Sequence, residues 1–196
     1  MQAVSAHLWD STSLHGRRVA IQGIGNVGGN LARLLADEGC EVTIADVDTE
    51  AVRRIADETG ARVVQPEDVL ATPCDFLAPC ALGSVISHHS APDLRCRAIV
   101  GSANNQLAPG FDAGRLSAMG ILYTPDFLAN AGGIINISVE FESGGYSDDV
   151  AAAAVDRIFD AVADAIADAE RLDCTPLEAA TRRAHARLRA ATGSSS

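Results

Sequence analysis

Lysine is missing from this chain: all fifteen basic side chains among its 196 residues are arginine. An alanine-rich composition makes coding bias the plain explanation, yet no lysine chemistry can come from these residues. Aromatics amount to only 4%, so the core has to be built from Ala, Val, Leu and Ile. The five cysteines (Cys40, Cys74, Cys80, Cys96, Cys174) form no C-x-x-C pair and no zinc spacing, which excludes a ribbon or finger site and suits reduced thiols in a cytoplasmic protein. Nothing at the N-terminus reads as a signal peptide, and no apolar run is long enough to span a bilayer. Positive charge is scarce as well. A net charge of −11 and a pI near 4.7 disfavour nucleic acid or an anionic membrane as partner. The densest arginine group, Arg182, Arg183, Arg187 and Arg189, falls on a predicted C-terminal helix.

What is present is the material of a globular core, at 47% hydrophobic residues, in a length that suits one sizeable domain. After a short predicted helix (2–9), a polar linker and a turn at His15-Gly16, strands and helices alternate. Strands are predicted at 18–22, 41–46, 61–64, 74–79, 98–103 and 120–124. Helices are predicted at 26–38, with Leu31, Leu34 and Leu35 on its packing side, at 49–59, and at 111–119. Gly39 and Gly60 close the first two of these helices. Nearly continuous apolar strands alternating with helices predict an α/β fold, a doubly wound and mostly parallel sheet with C-terminal helices. The remainder reads as helical. One helix over 126–142 carries an internal Gly132-Gly133 pair, and a long amphipathic helix covers 149–172. A capping box, Thr175-Pro-Leu-Glu178, then opens the last helix.

The strand-to-helix turn "QGIGNVGG" fits G-x-G-x-x-G with Gly23, Gly25 and Gly28. Gly23 permits the tight turn, Gly25 lets a pyrophosphate reach the backbone, and Gly28 lets the helix pack on the strand. The helix then presents its free N–H groups and positive dipole end to the phosphates. Eighteen residues after Gly28, Asp46 ends the second predicted strand. A carboxylate there accepts the ribose hydroxyls of an adenosine and repels a 2′-phosphate, so NAD is expected over NADP.

Three further motifs, "APCALG" (78–83), "GSANNQL" (101–107) and "PDFLANAGGIIN" (125–136), follow in order. With the glycine turn they resemble the C-terminal NAD-binding domain of the glutamate/leucine/phenylalanine/valine dehydrogenase family, nearest its leucine and phenylalanine branch. The resemblance implies roles residue by residue. Gly25, Asn26 and Val27 would lie on the pyrophosphate, Asp46 on the adenine ribose and Val47 along the adenine. Cys80 and Ala81 would pass the nicotinamide ribose. Asn104 would reach the nicotinamide and the substrate, and Asn130 the carboxamide. Gly132 and Gly133 would stay small so that nicotinamide and substrate can meet. The family's catalytic lysines belong to an N-terminal domain with no counterpart here, so no catalytic residue is identified.

The resemblance therefore implies residues 1–16 as the remnant of an interdomain helix and linker, 17–146 as the dinucleotide-binding domain, 147–192 as helices packed on it and 193–196 as a tail. The function expected is the NAD-binding module of an oxidoreductase acting on an apolar L-amino acid, completed by a separate catalytic domain, a separate chain or a homodimer partner. Ile134, Ile137 and Val139 hint at an apolar substrate side chain, and an exposed Leu8-Trp9 end is one expected docking patch. Two alternatives stand: a free-standing NAD-dependent enzyme reducing an imine or ketone, with His88, Asn104 or Asp126 in polar roles, and a non-catalytic NAD-binding protein. No metal site is expected. His88-His89 reads as a solvent-facing pair, Cys80 as a small buried hydrophobe, and Asp156, Asp160, Asp164 and Asp168 as a solvated helix face.

Overall fold

Helix α1 (Gln2–Trp9) precedes an alternating run: β1 (Arg18–Gln22), α2 (Asn26–Asp37), β2 (Glu41–Ala45), α3 (Thr49–Thr59), β3 (Arg62–Val63), β4 (Phe76–Pro79), β5 (Ala98–Ile99), α4 (Ala113–Ala118) and β6 (Leu122–Tyr123). Among the described residues four helices follow: α5 (Asp126–Ala129), α6 (Gly132–Glu140), α7 (Asp148–Leu172) and α8 (Pro176–Gly193). This computed structural model describes residues 1–140 and 147–193. All six strands are parallel and lie in the order β3-β2-β1-β4-β5-β6. The order reverses between β1 and β4, so a crevice opens at the carboxyl ends of those two strands.

Side-chain alternation along the strands divides the core into two layers. Val19 and Ile21, Ile44, Phe76 and Ala78 face α2 and α3, together with Val4 of α1 and Val162 and Ile166 of α7. Ala20, Ala45, Leu77 and Ile99 face the opposite layer, built from Val69, Ile86, Phe111, Leu116 and Tyr123. Regular helix is sparse on that second face. Among the described residues α4 and two 3-10 turns (Val69–Ala71 and Ala91–Asp93) cover it, and Leu177 of α8 packs against it. Each fully buried Ile, Leu or Phe contributes about 1.5–3 kcal/mol, which is how a core poor in aromatics still holds.

Several sequence expectations change in three dimensions. The strands after β2 are shorter than their apolar runs. Leu34 is 64% exposed, because the buried face of α2 is Gly28, Gly29, Ala32 and Leu35; at 3.6 residues per turn Leu34 points roughly 150° away from the middle of that face. The helix expected over 126–142 is two helices broken at Asn130-Ala131, which puts Gly132-Gly133 at the start of α6 rather than inside one helix; its last two residues, 141 and 142, lie outside the described residues. Trp9 is no exposed docking end. Its ring packs edge-on against Phe76 at 5.5 Å, and the Arg17 guanidinium sits 4.0 Å above it. The capping box forms as expected: the Thr175 N–H donates to Glu178 Oε2 (2.8 Å) and the Glu178 N–H to Thr175 Oγ1 (3.2 Å). That last helix runs on through Gly193, and 194–196 of the expected tail lie outside the described residues.

Candidate functional site

β1 ends at Gln22, and its hydrogen bonds carry on into the turn. The Gly23 N–H donates to the Ala45 carbonyl at 2.8 Å, and the Ile24 N–H to Asp46 Oδ2 at 2.7 Å. Asp46 Oδ1 accepts from the Asp48 N–H at 3.0 Å, so this carboxylate already ties the glycine turn to the end of β2. Gly25 is the N-cap of α2. No side chain caps this helix and no acidic residue stands in its first turn. By contrast, α3 is capped by Asp48 and α4 by Asp112. The first amides of α2 are left for a ligand, beside exposed Gly25, Asn26 and Val27.

The glycines are explained by what surrounds them. A Cβ on Gly28 would lie 2.0 Å from the Gly23 carbonyl oxygen and 3.2 Å from Cys80 Cβ. Gly23 has φ +88°, and a Cβ there would lie 2.5 Å from that of Ala81. At Gly25 a Cβ would meet nothing within 4 Å, which leaves open space over the backbone. The turn is closed where it packs and open where a phosphate would come. These residues fit a dinucleotide.

Loops after β4 and β5 extend the same edge. Cys80 follows β4, donates its N–H to the Gln22 carbonyl at 2.7 Å and hydrogen-bonds Ser102, while burial pushes its thiol pKa up. That environment suits a small hydrophobe and not a nucleophile. The two loops are sewn together by Ser84 N–H to Asn105 O (2.6 Å), Ile86 N–H to Gln106 O (3.0 Å) and Ala103 N–H to Pro79 O (2.9 Å). Asn104 and Asn130, 26 positions apart, meet: Asn130 Nδ2 donates to Asn104 Oδ1 at 2.5 Å and also reaches the Ser102 carbonyl at 3.5 Å.

Contacts thus run without a gap from Asp46 through the glycine turn, Cys80 and Ala81, Ser102 and Asn104 to Asn130. Val47, 85% exposed, stands just beyond β2. Among the described residues nothing outside their own helix and chain neighbours lies within 4 Å of a Cβ added at Gly132 or Gly133. Of the apolar residues that follow, Ile134 is exposed, as is Ile137; Val139 is buried among the chain's own residues and is not available to a ligand. Sequence reasoning passed over Gln106 and Ser102, although both stand in the quoted "GSANNQL"; nothing in the string says which polar residue of the motif turns inward.

Other candidates settle into structural roles. His88 is exposed, its Nδ1 lies 2.6 Å from Arg115 Nη1, and its ring stacks edge-on with Phe111. Among the described residues no cluster of His, Cys, Asp or Glu could hold a metal ion. The acidic face of α7 is not wholly solvated, because Arg183 of α8 bridges Asp164 (2.7 Å) and Asp168 (3.3 Å). Among the described residues no helix is long and apolar enough to cross a membrane.

Comparison with known proteins bears on this geometry directly. Residues 43–194 match the Glutamate/Leucine/Phenylalanine/Valine dehydrogenase family, and residues 2–82 match the D-isomer specific 2-hydroxyacid dehydrogenase NAD binding domain. Leucine dehydrogenase of Geobacillus stearothermophilus is 38% identical over 96% of the chain and 51% of its own length. Phenylalanine dehydrogenase of Thermoactinomyces intermedius is 38% identical over 98% of the chain and 52% of its own length. The crystal structure of L-tryptophan dehydrogenase from Nostoc punctiforme superposes with a TM-score of 0.91 at 37% identity, over 95% of this chain and 56% of that one. The chain spans about half the length of the curated relatives it matches. All three are named for a free amino acid, a small-molecule substrate.

Proposed function

The chain belongs to the glutamate/leucine/phenylalanine/valine dehydrogenase family and is an NAD-binding portion of such an enzyme, and from that premise we propose that it serves the oxidative deamination of an apolar L-amino acid, or the reverse amination of its 2-oxo acid. When bound, NAD supplies the acceptor for the hydride that leaves the amino acid's Cα; water supplies the oxo oxygen and ammonia departs. The chain's own residues hold and orient. Amides of Gly25, Asn26 and Val27 at the open end of α2 bind the pyrophosphate, and Asp46 takes the adenine ribose hydroxyls beside Val47. Cys80 and Ala81 pass the nicotinamide ribose through backbone groups. The Asn104–Asn130 pair fixes the carboxamide and the near side of the substrate, while Gly132 and Gly133 keep room for both.

The observation that carries this reading is the unbroken run of contacts from Asp46 to Asn130 along the carboxyl edge of the sheet, the position where an open α/β sheet takes its ligand. Hydride transfer also needs proton movement at the amino nitrogen and at water. General acid–base help of that kind contributes about 10²–10⁴-fold. With no lysine in the chain, we assign it to a separate catalytic domain or chain. In the same reading residues 1–16 are the end of an interdomain helix and its linker, 17–146 the dinucleotide-binding domain, 147–192 its packed C-terminal helices and 193–196 a tail.

The test is a titration of the purified chain with NADH and NADPH, followed by nicotinamide absorbance over time with NAD and a panel of apolar L-amino acids. Tight NADH binding, weaker NADPH binding and no turnover are expected. Turnover above a Gly25→Ala control would overturn the incomplete-site reading. A folded chain that binds neither dinucleotide would overturn the whole of it.

A further inference from the structure

Gln106 is the most deeply buried polar side chain at this edge, with 0% of its surface exposed. Its Nε2 donates to the carbonyls of Gly101 (2.9 Å) and Ala103 (3.0 Å), closing the loop after β5 into a ring around Ser102. Its own N–H donates to Asp126 Oδ2 at 3.3 Å, tying that ring to the start of α5. Between the ring and the tie stand Asn104, which meets Asn130 just past α5, and Asn105, held at φ +51°. The bond partner of Asn104 and the tether of Gln106 therefore sit at the two ends of one short helix.

The amide is not an optimal way merely to fill this space. Gln106 Oε1 is buried with no hydrogen-bond partner among the described residues. An apolar side chain of similar size would avoid that orphan, so a buried half-satisfied amide has to be explained by its donors. Without them the Gly101 and Ala103 carbonyls face the interior unmet, and the loop that presents Asn104 has no internal pin.

We infer that Gln106 is a positioning residue: by clamping the 101–106 loop and tethering it to α5, it sets the Asn104–Asn130 pair at the geometry that docks the nicotinamide half of NAD. This rests on the NAD reading above. The adenosine half lies at the far end of the contact run, against Asp46 and the glycine turn, and Gln106 does not act on it.

Gln106→Met keeps the length of the side chain and removes both donors. The purified chain is titrated with NADH, read by nicotinamide emission, and with ADP-ribose, which lacks the nicotinamide. Wild type is expected to enhance NADH emission at saturation. The variant should lose most of that enhancement and bind NADH about tenfold more weakly, with ADP-ribose affinity kept within about twofold. Asp126→Asn, which loosens the tether alone, should show the same split in weaker form and carries the test where Gln106→Met does not fold. A destabilised core variant remote from the site, Leu116→Ala, should leave emission intact. Equal weakening of both ligands, no weakening of either, or a wild-type emission that saturation leaves unchanged would each overturn the inference. So would unfolding of both variants, which would assign Gln106 to folding. If wild type binds neither ligand, it is the NAD reading that fails, and the inference with it.

Discussion

Alanine at Gly25 and alanine at Gly28 should separate binding from folding. At Gly25 an added Cβ meets nothing within 4 Å and φ is −61°, a value any residue adopts. Gly25 is the N-cap of α2, where alanine is less favourable than glycine, so the loss of stability should be about 0.5–1 kcal/mol and no more. The methyl group nevertheless stands where a pyrophosphate must come against the backbone, so NAD affinity should fall by at least about tenfold, or ~1.4 kcal/mol. At Gly28 the same methyl would lie 2.0 Å from the Gly23 carbonyl oxygen and 3.0 Å from its carbon. Both are backbone atoms that no rotamer change can move. With ordinary contacts at about 3.5 Å, turn and helix have to part by roughly 1 Å or more. A clash this short with backbone atoms falls in the upper part of the overpacking range, about 2–3 kcal/mol, and the better helix propensity of alanine offsets about 1 kcal/mol of it. A net loss of about 1–2 kcal/mol corresponds to roughly 2–8 °C in Tm for a chain of this size. Circular-dichroism melts and NADH titrations on both variants give the answer. Gly25→Ala should melt only slightly below wild type and bind poorly; Gly28→Ala should melt earlier still and bind poorly, because the α2 amides are displaced. Wild-type affinity in Gly25→Ala, or an unchanged melt in Gly28→Ala, would refute the reasoning.

Asp46→Asn removes the charge from hydrogen bonds that contribute roughly 1.5–3 kcal/mol each, so NAD affinity should drop about tenfold to a hundredfold while NADP binding changes little; an equal drop for both, measured by titration, would deny Asp46 any part in discrimination. Glu178 has its pKa held below the ordinary 4.5 by hydrogen bonds from the Thr175 N–H and hydroxyl. A lowered folded-state pKa stabilises through the ionised form, so this contribution is complete above pH 4.5 and is lost as pH falls below it. Glu178→Gln should therefore melt earlier than wild type at neutral pH and converge with it in acid; a gap independent of pH would contradict the capping geometry. Burial pushes the thiol of Cys74 up to about 11 and that of Cys96 up to about 12. A disulfide reagent at neutral pH should leave these two unmodified until guanidinium unfolds the chain, and rapid titration of all five cysteines in the native state would refute that burial.

Features that rest on neighbours in the chain were legible in the residues. The glycine turn, the α3 helix closed by Gly60 and the Thr175–Glu178 box each use partners within a few positions, and each forms where expected. The break at Asn130-Ala131 was not legible, because "DFLANAGGIIN" carries an unbroken apolar pattern across it. Leu34 was assigned to the wrong side because its helical spacing fits two faces, and only the sheet beneath α2 chooses between them.

The composition and order of motifs determined an α/β chain with a parallel doubly wound sheet, and they placed a glycine-rich turn at the first crossover, since turn geometry and side-chain period are local properties of the backbone. Tertiary structure alone decided that Asn104 meets Asn130, that Asp46 is already tied to Ile24, that Arg183 spans two aspartates of α7 and that Gln106 turns inward. Those pairings join residues 15 or more positions apart or depend on which side chain a loop buries, and both are set by how the layers pack over the sheet, which no short stretch of the chain encodes.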